Sequence, residues 1–453
     1  MLAGIFSIYL ALTVLLCFFR IRIGIAMFLG YSVLVPFLKF FSLGQNSFPF
    51  FIILALLFNY GYKTLYYKPL IPFLFLYAAQ FLIIPFQSDM PIGAQINAFR
   101  VDVMNTLLLP FAMINVMKRD KSTVFLFVRT LVISVVVAAF YSMLLTIVPG
   151  TNPYLLAVLP LSGGEFNEAY ALAENEGRVF GRISGVFTHP MTNGLFLSFS
   201  VIFVLSFIFD LKSVLKKYFS IILILVLFLA TFFIGVRTSI AAAALGVGVY
   251  VLLERKFKIA LFIFLGGISI SFVLLQIPEM TGFVSSIFDS KSSSVSGSSL
   301  DMRISQLNGA LHEIKSNYLF GKGYGWTNYY KDLRGDHPVL LAFESLVYVV
   351  LCNSGFVGVG IWLIMMLLYI MEVRQSFKRT YFHIMLSLIS VYMVYSTITG
   401  EYGYMKIFLI FYSIMWMYGK TQYSNIFIAR KRSIYEHKSK SNRPLSTSIS
   451  PNT

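Results

Sequence analysis

Charge is scarce in this chain of 453 residues: Asp, Glu, Lys and Arg together make up only 12%. A soluble domain of this size could not cover its surface with so few charges. Cysteine is scarcer still. Cys17 and Cys352 are the two present, and both fall in apolar runs. That excludes a disulfide framework and a CxxC metal site, and reads as buried thiols. There is no DxD motif and no His/Asp/Glu cluster at metal-ligand spacing, so no metal and no cofactor is expected. The stretch Gly321-Lys322-Gly323-Tyr324-Gly325 lacks the Lys-Ser/Thr of a P-loop and reads as a turn with close backbone packing. No internal repeat has a clear period. The N-terminus lacks a basic n-region and a small-residue cleavage site, so residues 2–19 read as a retained span.

What the chain has is apolar length. Hydrophobic residues make up 58% and aromatics 17%. A bilayer span needs about 20 mostly apolar residues. Such runs cover 2–19, 23–41, 48–62, 69–87, 97–117, 123–149, 185–209, 218–235, 238–253, 258–277, 339–371, 380–398 and 402–420. The fold class expected is all-α: a polytopic helical membrane protein with about 12–14 transmembrane helices.

The formal charge of +17 follows the spans. Arg20 and Arg22 follow the first, Lys63 and Lys68 the third, Lys118, Arg119 and Lys121 the fifth. Lys212, Lys216 and Lys217, then Arg255, Lys256 and Lys258, then Arg374, Lys378 and Arg379 continue the odd series. The short even exits are almost free of positive charge: 42–47 has none and 87–93 has only Asp89. The positive-inside rule puts the odd exits in the cytoplasm, the N-terminus outside and the C-terminus inside. Charge distributed this way speaks for membrane lipids as partners and against nucleic acid. The organisation expected is membrane helices over 1–149, a first outer loop at 150–184, central helices over 185–277, a large second outer loop with short helices at 278–338, helices over 339–420, and a basic, Ser-rich, disordered cytoplasmic tail at 421–453 that can touch anionic headgroups.

The two outer loops hold the chemistry-bearing residues, because polar and ionic side chains at a bilayer are costly and kept for a use. The first carries Arg178, Arg182 and, at a helix entrance, His189-Pro190. The second carries Arg303, near the start of a helix expected over 301–316 with Ile304, Leu307, Leu311 and Ile314 on one stripe, and then His337. A cation in the first turn of a helix is unfavourable unless an anion binds there. Arg237 and Arg100 add arginines to the outer face, Asp102 lies inside a span, and Glu401 and Lys406 flank the last outer turn. Arginine suits phosphate because its planar fork makes two parallel charge-assisted hydrogen bonds. Two arginines from separate outer loops suit a lipid-borne diphosphate, and His337 is the candidate base for an attacking sugar hydroxyl. Each residue has a plainer reading: snorkelling for Arg182 and Arg100, an ion pair with Glu313 or Asp301 for Arg303, helix capping for His337 and His189.

Gly181-Arg182-Ile183-Ser184-Gly185-Val186-Phe187 with His189-Pro190 and Asn193 resembles the helix entrance of the O-antigen ligase and Wzy-type polymerase superfamily. Gly235-Val236-Arg237-Thr238 resembles its Gly-Ser-Arg turn. Met302-Arg303 through the Gly321–Gly325 turn resembles its arginine-led helix, and His337 with Gly355-Phe356-Val357-Gly358 its loop histidine and later glycine motif. The resemblance covers roughly residues 170–370. It departs where Pro338 follows the histidine in place of Asn, where Tyr318-Leu319-Phe320 replaces a Pro, and in a longer stretch between His337 and Gly355. It implies inverting, metal-independent glycosyl transfer from an undecaprenyl-diphosphate-linked oligosaccharide to an acceptor glycan, on the periplasmic face of a bacterial inner membrane. It implies Arg182 and Arg303 as diphosphate contacts and His337 in the catalytic site. Arg178, Arg237, Arg100 and His189 are the further substrate-binding candidates on the outer face. Polymerisation of repeat units, with a chain-length regulator protein as a partner, is preferred. Ligation to lipid A-core is the alternative, and a flippase for the same lipid is a third reading.

Overall fold

The computed structural model describes residues 2–34, 47–61, 65–147, 152–158, 182–187, 189–208, 214–255, 300–340, 343–401 and 403–421. Within them the chain is all-helical, without a strand. The helices are α1 (Leu2–Phe19), α2 (Ile21–Leu34), α3 (Ser47–Tyr60), α4 (Ile71–Ile83), α5 (Ile92–Arg119), α6 (Lys121–Ile147), short α7 (Pro153–Val158), α8 (Pro190–Ile208), α9 (Val214–Phe233), α10 (Arg237–Glu254), α11 (Leu300–Glu313), α12 (Trp326–Arg334), α13 (Leu346–Ser376) and α14 (Arg379–Thr399). A last helix, α15, covers 404–421. Seven helical segments among the described residues are long and apolar enough to cross a membrane. The chain is a multi-pass helical membrane protein. Helices stand over every expected span except 258–277, which lies outside the described residues.

Local chemistry moves several boundaries. α8 starts at Pro190 rather than 185, because proline's fixed φ and missing N–H suit the first helical position. α13 starts at Leu346 rather than 339, since the Ser345 side chain accepts the Val347 N–H and caps it. α9 stops short of Gly235, whose φ of 73° ends the helix. α11 forms as expected, with a 3₁₀ turn at Ile314–Ser316, but its face is different. Gln306, Ala310 and Ile314 are buried, while Ile304 and Leu307 are exposed. Gly309 decides this: its surface lies so near Val339 that a Cβ there would sit 2.8 Å from the valine side chain.

α15 is the axis of the bundle. Its Phe408, Phe411, Tyr412, Met415 and Trp416 are fully buried. Phe73 of α4 packs on Phe408 and Tyr412, and Tyr369 of α13 joins them at 5.4 Å from Tyr412. Buried tyrosine hydroxyls must find acceptors where no water competes. Tyr412 donates to the Pro69 carbonyl, Tyr381 to Met415 and Tyr369 to Met385. α8, α10 and α14 approach closely through small residues. Ser198 donates to the Ser239 carbonyl, and Gly246 touches Ile202 and Val391.

The ends of the bundle differ. Basic residues gather at one end: Arg22 pairs with Asp120, Lys118 and Arg119 lie over Tyr66 and Tyr60, Lys68 stands 3.7 Å from Glu372, and Lys420 donates to the Ser376 carbonyl. α11, α12 and the glycine turn cover the opposite end.

α13 is broken where that turn meets it. Gly355 has φ 60° and ψ −158°, inside an otherwise helical run. The break frees carbonyls above it and N–H groups below it, and residues 318–323 satisfy both. Lys322 and Gly323 donate their N–H groups to the Cys352 and Asn353 carbonyls at 2.8 and 3.2 Å. Phe356 and Val357 donate to Tyr318 and Leu319, both at 3.0 Å. Irregular backbone at membrane depth is tolerated when protein groups pair it in this way.

Candidate functional site

The cap formed by the glycine turn is fastened by amides. Gln87 donates to the Phe320 and Asn353 carbonyls at 2.6 and 2.8 Å. Gln87 and Gln95 both accept the Tyr324 N–H, at 3.1 and 3.0 Å. Asn353 accepts the Thr327 N–H. Tyr324 is thereby aimed at α5, where its hydroxyl donates to Asp102 Oδ2 at 2.5 Å. Thr106 donates to Asp102 Oδ1 at 3.0 Å, and Tyr77 also hydrogen-bonds this carboxylate. A carboxyl group inside a membrane helix is thus ringed by hydroxyl donors.

Asp102 faces a cavity of about 540 Å³. The cavity is reached by the last residues of α2, the second half of α4, the first halves of α5 and α13, and the starts of α8 and α15. These are the ends that the charge alternation along the chain groups together, opposite the basic cluster. Its wall carries the amides of Gln80, Asn105, Asn328 and Asn353, the rings of Tyr77 and Trp362, and three ionisable side chains, Asp102, Glu401 and Lys406. The size lies in the range of about 300–1,000 Å³ usual for small-ligand sites.

Glu401 stands just before α15. Its Oε1 accepts the Met405 N–H at 3.1 Å, and its Oε2 accepts from Tyr392 at 3.1 Å and Ser396 at 3.4 Å. Burial pushes its pKa up to about 7, and the nearby Asp102 charge adds to the rise against these hydrogen bonds. Lys406, in the first turn of α15, lines the same cavity.

The arginines stand about the cavity end of α14. Arg303, on the first turn of α11, donates to the Glu344 carbonyl at 2.5 Å and to the Ile398 carbonyl at 2.9 Å, with the Glu344 carboxylate 4.0 Å away. It ties α11 to the start of α13 and the end of α14. These carbonyls belong to residues 41 and 95 positions away. Arg182 lies close enough to Tyr395 of α14, and to Arg237 at the start of α10, for its charge to bear on both. Ile183 donates its N–H to Ile234, which brings those two segments together. Phe187, five residues on from Arg182, lines the cavity.

The Arg182 segment owes its shape to Gly185 and Asn193. Gly185 has φ 61°, and a Cβ there would lie 2.7 Å from the Asn193 amide. Asn193 donates to Ser142 and to the Ile183 carbonyl. His189 caps α8: its Nδ1 accepts the Met191 N–H at 3.2 Å. Arg100 is exposed and donates to Asn97, turned away from the cavity that Asp102 faces. Arg178 lies outside the described residues.

His337 is placed elsewhere. Its ring is buried, with Tyr330 and Phe343 at 5.2 and 5.9 Å. Nδ1 accepts the N–H groups of Val339 and Leu340 at 3.1 and 3.0 Å, and Nε2 points at Glu313, 3.2 Å away. Glu313 continues to Lys322 and Asp89. Both ring nitrogens are committed. Glu313 and Arg303 stand ten residues apart on α11, about 15 Å along the helix. Arg303 and the Glu313 partner of His337 thus stand at opposite ends of α11. Arg182 and Arg237 approach each other, Arg303 reaches the same end of α14, and His337 sits at the far end of α11.

What sequence reasoning passed over is the cavity itself. Its signal was a set of polar residues within apolar runs, Gln80, Asn105, Thr106 and Asn353, all toward the same ends of their helices.

These features define a multi-pass helical membrane protein with a polar, ionisable cavity among its helices. No protein-family model matches the chain, and no curated protein matches it.

Proposed function

We propose that the protein transfers glycosyl groups from a polyprenyl-diphosphate-linked oligosaccharide, polymerising repeat units on the outer face of a bacterial inner membrane. The observation that carries this reading is the approach of Arg182 to Arg237 and Tyr395 and the reach of Arg303 to Ile398 near the same end of α14, in a molecule whose cavity holds two carboxylates. The donor diphosphate is a polyanion at headgroup depth, and arginine forks neutralise it bidentately. Neutralisation stabilises the charge that builds on the diphosphate as it leaves. The positive-inside pattern directs the cavity end outward. The exposed Ile304, Leu307, Leu319 and Leu333 near it suit contact with lipid.

The test is a deletion strain, with its surface polysaccharide profiled on gels and its lipid-linked sugars analysed by mass spectrometry. Single repeat units accumulating on the carrier, with long chains gone, are the expected result. Long chains that persist on the carrier without reaching lipid A-core convert the assignment to ligase. Normal glycans in both fractions refute it.

One observation favours a second reading, a flippase for the same lipid. Broken membrane helices and ionisable groups lining a central cavity are features of transporters, and α13 with Asp102, Glu401 and Lys406 supplies both. In that case the deletion traps the lipid-linked unit on the cytoplasmic face. In the glycosyltransferase case it stays accessible from outside.

A further inference from the structure

Glycosyl transfer needs a group that takes the proton of the attacking hydroxyl, and the imidazoles of His189 and His337 are already engaged. His337 has both nitrogens committed, and His189 Nδ1 caps α8. Neither lines the cavity. The carboxylates that do are Asp102, ringed by Tyr324, Thr106 and Tyr77, and Glu401, whose oxygens are oriented by Met405, Tyr392 and Ser396. We infer that this cavity seats the acceptor sugar and that Glu401, with Asp102 beside it, receives the proton of the attacking hydroxyl.

The assignment rests on the glycosyl-transfer reading above. The wall chemistry suits a saccharide: amides and carboxylates exchange hydrogen bonds with sugar hydroxyls, and the aromatic rings of Tyr77 and Trp362 add apolar wall. The division of labour is spatial. The arginines hold the donor diphosphate, and the carboxylates act on the acceptor inside the cavity. The acceptor hydroxyl oxygen forms a bond to the anomeric carbon as the bond from that carbon to the diphosphate oxygen breaks. The electron pair of the broken bond leaves on the diphosphate, and the hydroxyl proton passes to the Glu401 carboxylate.

A base works best with a pKa near the working pH, and Glu401, pushed to about 7 by burial, meets that condition. The groups facing it are Asp102 of α5, Tyr77 of α4, Tyr392 of α14 and Tyr324 of the glycine turn, with Lys406 on the same wall. Of these Asp102 is the negative charge that raises it. Gln at 401 preserves the size of the side chain and an oxygen to accept the Met405 N–H, so the cap on α15 survives the substitution.

The experiment uses the full-length protein in nanodiscs and, as substrate, the lipid-linked oligosaccharide extracted from the deletion strain. Initial rates of chain elongation are measured from pH 5.5 to 9. Wild type is expected to gain rate with rising pH through an inflection near 7. Glu401→Gln is expected to lose at least about 100-fold and the inflection with it. Asp102→Asn moves the inflection of the remaining activity to lower pH, because a negative neighbour has been removed. A purely structural role for Glu401 scales the rate equally at every pH and leaves the inflection in place. That result, or a Glu401→Gln rate within threefold of wild type, overturns the inference. If Glu401→Gln does not fold, as read from its melting curve, the Asp102→Asn inflection decides alone: an unmoved inflection refutes the assignment. Wild-type protein that elongates nothing at any pH overturns the glycosyl-transfer reading itself, and the base assignment falls with it.

Discussion

Replacing Gly355 by alanine tests how the broken helix holds the cavity wall. The residue sits at φ 60°, ψ −158°, a region that glycine alone occupies without strain, and another residue there costs about 1–3 kcal/mol. The added methyl would lie 2.5 Å from the carbonyl oxygens of both Tyr318 and Leu319. Those oxygens accept from Phe356 and Val357, so moving them breaks two backbone hydrogen bonds and loosens the reciprocal pair from Lys322 and Gly323. At about 1 kcal/mol each, two to four such bonds bring the total to about 3–7 kcal/mol. The readout is built in. Cys352 is fully buried at the break, and its carbonyl receives the Lys322 N–H. In a Cys17→Ala background, Gly355→Ala should raise the labelling rate of Cys352 by a maleimide at least about 100-fold, which is what 3 kcal/mol of lost closure implies. Gly360→Ala on the same helix is the control. Nothing lies within 4 Å of its added methyl, so it should be neutral or stabilise by up to about 1 kcal/mol. Equal labelling of Gly355→Ala and wild type would refute the account of the break.

Three further outcomes are expected. His337→Ala strips the acceptor from the Val339 and Leu340 N–H groups and the partner from Glu313, and should cost about 2–4 kcal/mol in detergent melting experiments; unchanged melting with abolished activity would instead restore His337 as a catalytic group. Arg303→Lys keeps the charge, but a single ammonium does not span the Glu344 and Ile398 carbonyls as the fork does, so activity should fall about tenfold or more, measured as kcat/KM on the lipid-linked substrate; wild-type kcat/KM would show that charge alone matters there. Glu401 binds its proton more tightly folded than unfolded, so its carboxyl favours the folded state at low pH, and that preference is lost as pH rises from about 4.5 to 7, a change of about 3 kcal/mol. Glu401→Gln lacks this dependence, so its melting temperature relative to wild type should climb between pH 5 and pH 8, and a pH-independent difference would contradict the burial of an ionising carboxyl.

The membrane spans were legible because runs of about 20 apolar residues have few other uses. Their boundaries were set by single residues acting locally, Pro190 at the start of α8 and Ser345 before α13. The face of α11 was not legible. Spacing nominates Ile304 and Leu307 for burial, yet the close approach of Gly309 to Val339 and the Arg303 clamp turn Gln306 and Ala310 inward. The break in α13 leaves almost no trace, because the sequence stays apolar through Gly355 and the partners that satisfy it come from another segment. Asp102 stood out as an ion inside a span, but Glu401 read as part of a turn. Their shared cavity depends on pairings such as Tyr324 with Asp102, 222 positions apart, which no local pattern encodes.

That long-range pairing also sets an order of assembly. Asp102 has Thr106 and Tyr77 nearby from the first, but Tyr324 is made 222 residues later, and Gln87 and Gln95 wait as long for the backbone they fasten. At about 5–20 residues per second, synthesis leaves this corner open for roughly 10–45 s. During that interval the start of α5 must rest where water still reaches the carboxyl, since hydrocarbon does not tolerate it uncompensated. The helices can gather early. The chamber they surround closes only when the second half of the chain arrives to finish it.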